Sequence, residues 1–538
     1  MNFQHFIEGH LVIWVYLFCL LGGYAAIRRM NSVKWTTYLE WPFACAVISL
    51  LSYFVVKVLG ITLQHFWTHY SSIPYFFKIL TAAGLYTLSG FFGAFHFSGH
   101  GVKVAPEQSR GTVINEIRKP SSLKLRRKGS EITLCGHPIK ELDETKHFKI
   151  IGSTGTGKST VIREILGTAF QRGDRAVIAD PDGGYLARFY DSERGDVILN
   201  PLDARSHGWS LFDEITSLYD VNDLGRAFVP NVGDDPTWTM YARTLFTAIV
   251  GQAWLAGVRD LNTLYRLLAS TPRAELRKLL KGTAAFPYTE DGSDKLFEGA
   301  RSTMITAIQS FEFLTMRSFA NSISVRNWVK SGKGVLFIPY QADQIASLRS
   351  MISSWMRLAI FQSMSMGEGD LKLWFVVDEL DALGNIDGLQ DALARLRKFG
   401  GRCILGFQSI SQVSTTYGQG FAQAIVENCG NSLILRCSSS EGGGTAEYAS
   451  KLIGNREVVR KVMSESRSHH ILPWKRETTF SSNEERVVEQ AVLASEIEQL
   501  ADRSGFLKIA SIPEWVRVEF PYKDVTKITE PFVRIKQS

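Results

Sequence analysis

The sequence has few cysteines, six in 538 residues, and this scarcity excludes a small fold held together by disulfides. No two cysteines form a C-x-x-C pair and the eleven histidines form no H-E-x-x-H motif, so the sequence predicts no zinc site. There is no internal repeat. Charged residues are also few, 21% against 45% hydrophobic residues, which excludes a largely disordered chain. The length favours roughly two to four domains.

The hydrophobic residues are concentrated at the amino terminus, where residues 1–97 are overwhelmingly apolar. Three apolar runs, at 11–27, 41–63 and 74–97, are close to the length of about 20 residues with which a helix crosses the hydrocarbon core. We therefore predict a transmembrane anchor over 1–97 with three helices. An anchor of two spans, with one run lying in the membrane interface, is the alternative.

Basic residues predict the orientation of this anchor. Arg28, Arg29 and Lys34 follow the first apolar run, whereas residues 64–73 contain no Lys or Arg. A basic linker at 98–130, with eight basic and two acidic residues, follows the third run. Because basic loops stay on the cytoplasmic side, the large carboxyl-terminal part is expected in the cytoplasm. The linker most simply contacts anionic lipid, and a nucleic-acid contact is the alternative.

Residues 152–159 match the G-x-x-x-x-G-K-[ST] pattern of a phosphate-binding loop. They follow a strand pattern at 148–151 and precede a helical pattern at 159–170. Glycines let backbone N–H groups approach phosphate oxygens, Lys158 would bridge the β- and γ-phosphates of ATP, and Ser159 would ligate Mg²⁺. The predicted nucleotide-binding residues are Gly152, Ser153, Thr154, Gly155, Thr156, Gly157, Lys158 and Ser159.

A second motif, LKLWFVVDE at 371–379, is an apolar run that ends in two acidic residues. Such a run is typical of a buried parallel strand. Asp378 would hold Mg²⁺ through water, and Glu379 would orient or polarise the attacking water, as a hydrolase requires. Capping of a following helix is the alternative role for both carboxylates.

A third apolar run, 402–407, ends at Gln408. Ligands of open parallel sheets bind at the carboxyl ends of the strands, so we predict that Gln408 contacts the γ-phosphate or the lytic water; a hydrogen bond to backbone is the alternative. A helical pattern at 387–400 carries Arg395 and Arg397. Either arginine could reach the transition state in a neighbouring subunit, or lie at a solvated helix end.

Strand patterns alternate with helical patterns through much of the chain, which is typical of a doubly wound α/β fold. The predicted strands are 148–152, 175–180, 334–339, 371–377, 402–407 and 432–437. Residues 210–330 hold helical patterns only, so we predict an all-α domain inserted into a nucleotide-binding domain of residues 131–209 and 331–538. Polar residues 463–488 are predicted to form a surface excursion.

Together these motifs resemble the type IV coupling proteins, the membrane-anchored ATPases of conjugation and type IV secretion, and most closely the TrwB/TraD branch. The resemblance spans nearly the whole chain, beginning with the apolar amino terminus. The motifs that carry it are GSTGTGKS (152–159), DPDGG (180–184), NPLDARSHGW (200–209), VVDEL (376–380), GFQS (406–409), RCSSSEGGGTAEYASKLIG (436–454) and SIPEWVRVEFPY (511–522).

The resemblance implies a RecA-like P-loop ATPase that forms a homo-hexameric ring at the bacterial inner membrane and is stimulated by single-stranded DNA. Its implied partners are a relaxase bound to that DNA and the inner-membrane proteins of a type IV secretion channel. Lys158, Asp378, Gln408 and Arg397 match functional positions of the family, which favours Arg397 over Arg395.

Two features differ from the pattern of that family. Lys146 occupies a basic position just before the first strand, where an arginine would be the stronger donor to a transition state, so its role stays open. The third apolar run, 74–97, adds a possible third span to the two-span anchor that is associated with the family.

The main alternative function is a membrane-bound ATPase that recruits protein effectors to a type IV secretion system without transporting DNA. An ABC-type transporter would carry an LSGGQ-like signature, which the sequence lacks. A chromosome-segregation pump would need a winged-helix domain after the last strand pattern. We expect neither of these two.

Overall fold

The computed structural model describes residues 107–115, 131–231, 236–316, 318–369, 371–439, 444–469 and 476–535. The predicted anchor at 1–97 and most of the basic linker at 98–130 lie outside the described residues. Within the described residues, no helix is both long enough and apolar enough to span a bilayer.

The described residues form fifteen strands and sixteen α-helices. The strands are β1 (Glu107–Gly111), β2 (Ile114–Asn115), β3 (Ile132–Leu134), β4 (His137–Ile139), β5 (Phe148–Ile151), β6 (Arg175–Pro181), β7 (Val197–Ile198), β8 (Val335–Tyr340), β9 (Leu373–Val377), β10 (Gly401–Phe407), β11 (Asn431–Ile434), β12 (Asn455–His469), β13 (Arg476–Gln490), β14 (Ser504–Lys508) and β15 (Trp515–Glu519). The helices are α1 (Glu141–Glu144), α2 (Lys158–Gln171), α3 (Leu186–Phe189), α4 (Leu218–Phe228), α5 (Thr237–Leu255), α6 (Leu261–Ala269), α7 (Arg273–Leu279), α8 (Asp294–Ile308), α9 (Phe311–Thr315), α10 (Val325–Ser331), α11 (Ile345–Met364), α12 (Leu389–Leu396), α13 (Ile410–Tyr417), α14 (Gln419–Asn428), α15 (Thr445–Ile453) and α16 (Ala494–Glu498).

Ten strands form the central sheet, in the order β2-β15-β14-β11-β5-β10-β9-β6-β8-β7. From β11 to β7 all neighbours are parallel, and β14 pairs antiparallel with both β11 and β15. Each of the six predicted strands is present, with its ends within three residues of the prediction. The α/β fold class predicted from the alternation is therefore confirmed.

The central strands are buried on both faces because helices cover both sides of the sheet. In β9, the side chains of Leu373, Phe375 and Val377 join one hydrophobic cluster, and those of Trp374 and Val376 join the other. This alternation follows from the two-residue period of a strand. The sequence of β9 is therefore apolar throughout, as is usual for a strand with no solvent-exposed face.

Between β7 and β8 the described chain forms helices only, namely α4 to α10 and two short 3₁₀ turns. Helices α4 and α5 contribute buried residues such as Phe228 and Phe246 to the same hydrophobic cluster as Phe375 of the sheet. The helical segment thus shares a core with the nucleotide-binding part. The domain boundaries at 210 and 330 stay a prediction.

The polar stretch 463–488 contains parts of two long strands, because its described residues belong to β12 and β13. These strands form a second sheet, with the order β1-β12-β13. Their outer parts, within residues 459–485, belong to a compact unit separate from the one that holds residues 108–458 and 486–535. The prediction of an excursion did not include this regular structure.

A buried network of charges lies at the amino ends of the central strands. Glu144 and Arg402 are both 0% exposed, and Arg402 Nε donates to Glu144 Oε2 over 2.7 Å. Arg172, the residue that caps α2, donates to both carboxylate oxygens of Glu144 and also pairs with Asp174. Trp374 Nε1 donates to the Asp174 carboxylate over 2.8 Å. Each buried charge is thereby matched by a partner.

We predict that Glu144→Ala lowers the free energy of unfolding by about 3–5 kcal/mol, because it leaves two arginines buried without their shared carboxylate. Urea unfolding followed by tryptophan fluorescence measures the change. Glu447→Ala is the matched control, since Glu447 pairs with Lys451 on an exposed helix surface and its loss costs about 0.5 kcal/mol. Equal effects of the two substitutions would contradict the structural importance of the network.

Candidate functional site

Four adjacent strands bring the predicted site residues to one edge of the sheet. In the order β5-β10-β9-β6, Phe407 pairs with Ile151 and Val377 pairs with Ala179. The residues that follow these pairs therefore emerge side by side at the carboxyl edge. This is the edge at which open parallel sheets bind their ligands.

The approach of β10 to β9 requires a glycine. A Cβ on Gly406 would overlap the carbonyl group of Asp378, because the two backbones are in close contact at this point. The amide of Leu380 donates to the carbonyl oxygen of Gly406 over 2.9 Å. The glycine of the GFQS motif thus sets the distance between the strand that ends in Asp378 and the strand that ends at Gln408.

The phosphate loop connects β5 to α2 and has the backbone that its glycines allow. Gly155 and Gly157 have φ values of 79° and 115°, in the left-handed region that favours glycine. Lys158 Nζ donates to the carbonyl oxygen of Gly152 over 2.7 Å and to that of Ser153 over 3.3 Å. The ammonium group is therefore held across the mouth of the loop, where it can contact a phosphate.

Lys158 is 6% exposed. Burial lowers the pKa of its ammonium group, and the nearby carboxylates of Asp378 and Glu379 act in the opposite direction. A phosphate would add negative charge beside the lysine and favour its protonated form.

Ser159 and Asp378, the two predicted metal ligands, are in direct contact. Ser159 Oγ donates to Asp378 Oδ2 over 2.7 Å, and the phenol of Tyr185 donates to the same oxygen over 2.7 Å. Asp378 Oδ1 is buried and has no hydrogen-bond partner among the described residues. The site thus offers the hydroxyl of Ser159 and this unpartnered Oδ1 of Asp378 next to a phosphate loop. These oxygen ligands fit an oxygen-preferring cation such as Mg²⁺.

Glu379 and Gln408 are linked to the phosphate loop by a chain of two hydrogen bonds. Thr154 Oγ1 donates to Gln408 Oε1 over 2.8 Å, and Gln408 Nε2 donates to Glu379 Oε1 over 2.9 Å. Burial raises the pKa of the Glu379 carboxyl, the charge of Asp378 raises it further, and the hydrogen bond from Gln408 lowers it. A raised pKa makes the deprotonated carboxylate a better proton acceptor.

Asp180 and Tyr185 belong to this site although neither was predicted. Asp180 is the penultimate residue of β6 and lies at the level of Asp378. It is 0% exposed and accepts from the backbone amides of Tyr185 and Leu186. Burial raises the pKa of Asp180 to about 7. The strand-end rule could have found Asp180 in the DPDGG motif, whereas nothing in the sequence indicates that Tyr185 reaches Asp378.

Arg163 is a third residue that sequence reasoning missed. It lies one turn after Ser159 on α2, and its Nε donates to the Ser159 carbonyl oxygen over 2.9 Å. Its Nη1 is buried without a hydrogen-bond partner among the described residues. The cleft at this edge is lined by Thr154, Gly155, Gly157, Lys158, Ser159, Thr160, Arg163, Asp378, Glu379 and Gln408.

The predicted arginines lie at the opposite edge of the sheet. The helix predicted at 387–400 is α12, which ends at Leu396, and Arg397 begins a 3₁₀ turn that leads into β10. Arg395 and Arg397 are both exposed. Since β10 has seven residues, they are about 20 Å from the carboxyl edge of their own chain. The structure does not bring them to the cleft of that chain.

Lys146 also lies at the amino edge, just before β5. Its Nζ is 2.7 Å from Asp143 Oδ1, and its side chain is 26% exposed. The same edge therefore presents Lys146 and Arg397, each beside an amino-terminal strand end.

Residues 131–521 match the family model for the type IV secretion-system coupling protein DNA-binding domain. The chain belongs to this TrwB/TraD family of coupling proteins. The predicted resemblance is therefore confirmed.

The relatives of this coupling protein include TraD of Escherichia coli (strain K12), which is 29% identical over 414 residues. That alignment covers 76% of the chain and 57% of TraD. VirD4 of Bartonella henselae is 26% identical over 186 residues, or 32% of the chain and 28% of VirD4. The chain thus aligns with little more than half of TraD and less than a third of VirD4.

Among solved structures, the unbound bacterial conjugative coupling protein TrwBdeltaN70 superposes with a TM-score of 0.70 at 30% identity. The match covers 81% of the chain and 98% of the TrwB chain. TrwB has also been solved with a GTP analogue, with ADP and Mg²⁺, and with an ATP analogue. The mixed α/β fold of this coupling protein is therefore that of TrwB, a RecA-like P-loop NTPase.

We predict that Gln408→Ala moves the acidic limb of the hydrolysis pH profile to higher pH. As the predicted base, Glu379 would have to be deprotonated for hydrolysis, and the substitution removes the hydrogen bond that lowers the pKa of this carboxyl. The turnover rate measured from pH 5 to 8 tests this.

The matched control is Gln423→Ala, because Gln423 makes a 2.8 Å hydrogen bond to the exposed Glu427 on α14, away from the cleft. It should leave the profile in place. An acidic limb of Gln408→Ala at or below that of the unsubstituted protein would show that Gln408 does not control Glu379.

Proposed function

We propose that this protein is an inner-membrane, DNA-translocating ATPase that couples a relaxase–single-stranded DNA complex to a type IV secretion channel in conjugation. The observation that carries the proposal is the convergence of Lys158, Ser159, Asp378, Glu379 and Gln408 at one sheet edge, in a member of the coupling protein family. This convergence would supply what ATP hydrolysis requires: a phosphate cradle, metal ligands, a base and a polar sensor.

The phosphate loop would bind the triphosphate of ATP. Its backbone N–H groups and the start of α2 face the anion, and Lys158 would contact the β- and γ-phosphates. Ser159 and Asp378 would hold Mg²⁺, which neutralises the charge of the phosphates when it is bound. Tyr185 would fix the orientation of the Asp378 carboxylate through its 2.7 Å hydrogen bond.

Glu379 would orient the attacking water and accept its proton. Gln408 lies between Thr154 of the phosphate loop and Glu379, so it can report the presence of the γ-phosphate to the base. When the γ-phosphate leaves, this chain of hydrogen bonds would rearrange and change the contacts between subunits.

A homo-hexameric ring would complete the site. Arg397 is exposed at the amino edge of its own sheet, so it would act on the cleft of the neighbouring subunit rather than on its own. An arginine in this role stabilises the charge of the transition state. Lys146 at the same edge would contact the same neighbour.

The remaining parts of the proposal concern the surroundings of the ring. The apolar residues 1–97 would anchor it as a multi-pass protein of the inner membrane, with the ATPase in the cytoplasm. Domains 131–209 and 331–538 would form the motor, with 210–330 as an inserted all-α domain. Single-stranded DNA would be bound in the central channel mainly through its backbone, in a salt-sensitive manner.

We expect the site to discriminate little between adenine and guanine nucleotides. TrwB has been solved with both a guanine and an adenine nucleotide analogue. By this likeness we propose that the present chain accepts both purine triphosphates and hydrolyses ATP.

The decisive test is an ATPase assay on residues 98–538 with and without single-stranded DNA, together with electron micrographs of the particles. We expect DNA to stimulate hydrolysis and the particles to be rings. Lys158→Ala should abolish hydrolysis, whereas Lys451→Ala, on an exposed helix surface, should stay within about twofold of the unsubstituted protein. Hydrolysis without any DNA stimulation at low salt would favour the alternative function, recruitment of protein effectors.

We predict that Arg397→Ala abolishes hydrolysis alone and that activity partly returns when it is mixed with Lys158→Ala. In mixed rings, some sites combine the intact phosphate loop of an Arg397→Ala subunit with the intact Arg397 of a neighbouring Lys158→Ala subunit. Arg395→Ala is the matched control, since Arg395 is also exposed and lies two residues away. No recovery at any mixing ratio would argue against action on the neighbouring subunit.

A further inference from the structure

The carboxyl-terminal strands contact the phosphate loop directly. The amide of Arg503, just before β14, donates to the carbonyl oxygen of Thr156 over 2.9 Å. The amide of Phe520, just after β15, donates to the carbonyl oxygen of Arg503 over 3.0 Å. Arg503 therefore lies between the loop and the end of β15.

The backbone of Arg503 has a conformation that an arginine adopts at a cost. Its φ is 60°, in the left-handed region, which disfavours residues with a Cβ by roughly 1–3 kcal/mol. A glycine would meet the backbone requirement without that cost. The arginine side chain is exposed, and the neighbouring carboxylate of Asp502 pairs with Arg436. An ion pair therefore does not explain why an arginine is present, whereas its contacts with the phosphate loop and with Tyr522 remain to be considered.

The side chain of Arg503 passes over the phosphate loop towards an aromatic ring. Its Cγ is 3.1 Å from the position that a Cβ on Gly157 would occupy. Its guanidinium carbon lies 6.0 Å from the ring centroid of Tyr522. Tyr522 is 52% exposed. A planar cation and an exposed phenol ring thus face each other at the rim of the loop.

We propose that Arg503 and Tyr522 form the subsite that binds the purine base of the nucleotide, by stacking the base between guanidinium and phenol. This inference rests on the proposed function of the phosphate loop. A base between two flat groups needs a separation of about 7 Å, twice a contact distance of ~3.5 Å. The observed distance of 6.0 Å is about 1 Å shorter, so binding of a base would require the two side chains to move apart.

Stacking agrees with the low purine specificity proposed above. Arginine and tyrosine both stack on the faces of bases, which all bases share, and neither reads the hydrogen-bonding edge in this arrangement. The subsite would therefore bind adenine and guanine with similar strength and would hold the weaker-stacking pyrimidines less well.

The test compares ligands with and without a base, on the full chain. Equilibrium binding of ATP, GTP and inorganic tripolyphosphate is measured for the unsubstituted protein and for Tyr522→Ala, Tyr522→Phe and Arg503→Gly. Glycine at position 503 removes the guanidinium and accepts the left-handed backbone, so the contact of this residue with Thr156 is kept. Tyr219→Ala, at an exposed tyrosine on α4, is the matched control.

We expect Tyr522→Ala and Arg503→Gly to weaken ATP and GTP binding alike, by about tenfold, with tripolyphosphate binding unchanged. Tyr522→Phe and Tyr219→Ala should bind all three ligands as the unsubstituted protein does.

Two results would overturn the inference while leaving the proposed function intact. Unchanged ATP affinity in both variants would show that the pair is only a surface contact. An equal loss of ATP and tripolyphosphate affinity would show that the pair supports the loop rather than the base. If the unsubstituted protein bound none of the three ligands, the proposed function itself would fail, and the inference with it.

Discussion

The hydrogen bond between Ser159 and Asp378 joins two parts of the chain that are 219 residues apart, and the rest of the site depends on it. It places the hydroxyl at the start of α2 against the carboxylate at the end of β9. The close approach at Gly406 then fixes where Gln408 emerges relative to that carboxylate. The side chains of the site therefore have little positional freedom, because the distances between them are set by the spacing of neighbouring strands.

The opposite edge of the sheet is held as firmly by charges. Helix α2 begins at Lys158 and ends at Gln171, and its carboxyl-terminal cap, Arg172, binds the buried Glu144. Glu144 in turn binds Arg402, and Arg402 donates to the carbonyl oxygen of Gly400, three residues after Arg397. One helix therefore spans from the phosphate loop to the turn that carries the exposed arginine. In the proposed ring, a displacement of α2 when the nucleotide changes would be transmitted to the turn that carries Arg397, and would thereby alter the contact with the neighbouring subunit.

The sequence sufficed to predict six strands of the central sheet and several of the residues that follow them. The buried strands could be predicted because both of their faces are apolar, as in β9. A site residue such as Gln408 could then be predicted because it directly follows its strand. The role of Tyr185 could not be predicted, since it depends on how α3 turns back towards Asp378. The long strands β12 and β13 were missed because their polar residues show no apolar face. Arg503 was missed because its contact with the phosphate loop comes from strand pairing far along the chain.

The sheet order has a consequence for synthesis of the protein. Strand β5 lies between β10 and β11 in the sheet. Thr154, which follows β5, hydrogen-bonds to Gln408, which follows β10, and these two residues are 254 positions apart in the chain. At about 5–20 residues per second, a ribosome takes roughly 13–50 s to add the intervening segment. Throughout that interval the nascent chain carries an apolar strand whose lateral partners have not been made. A chaperone that shields this strand during synthesis would therefore favour production of the protein.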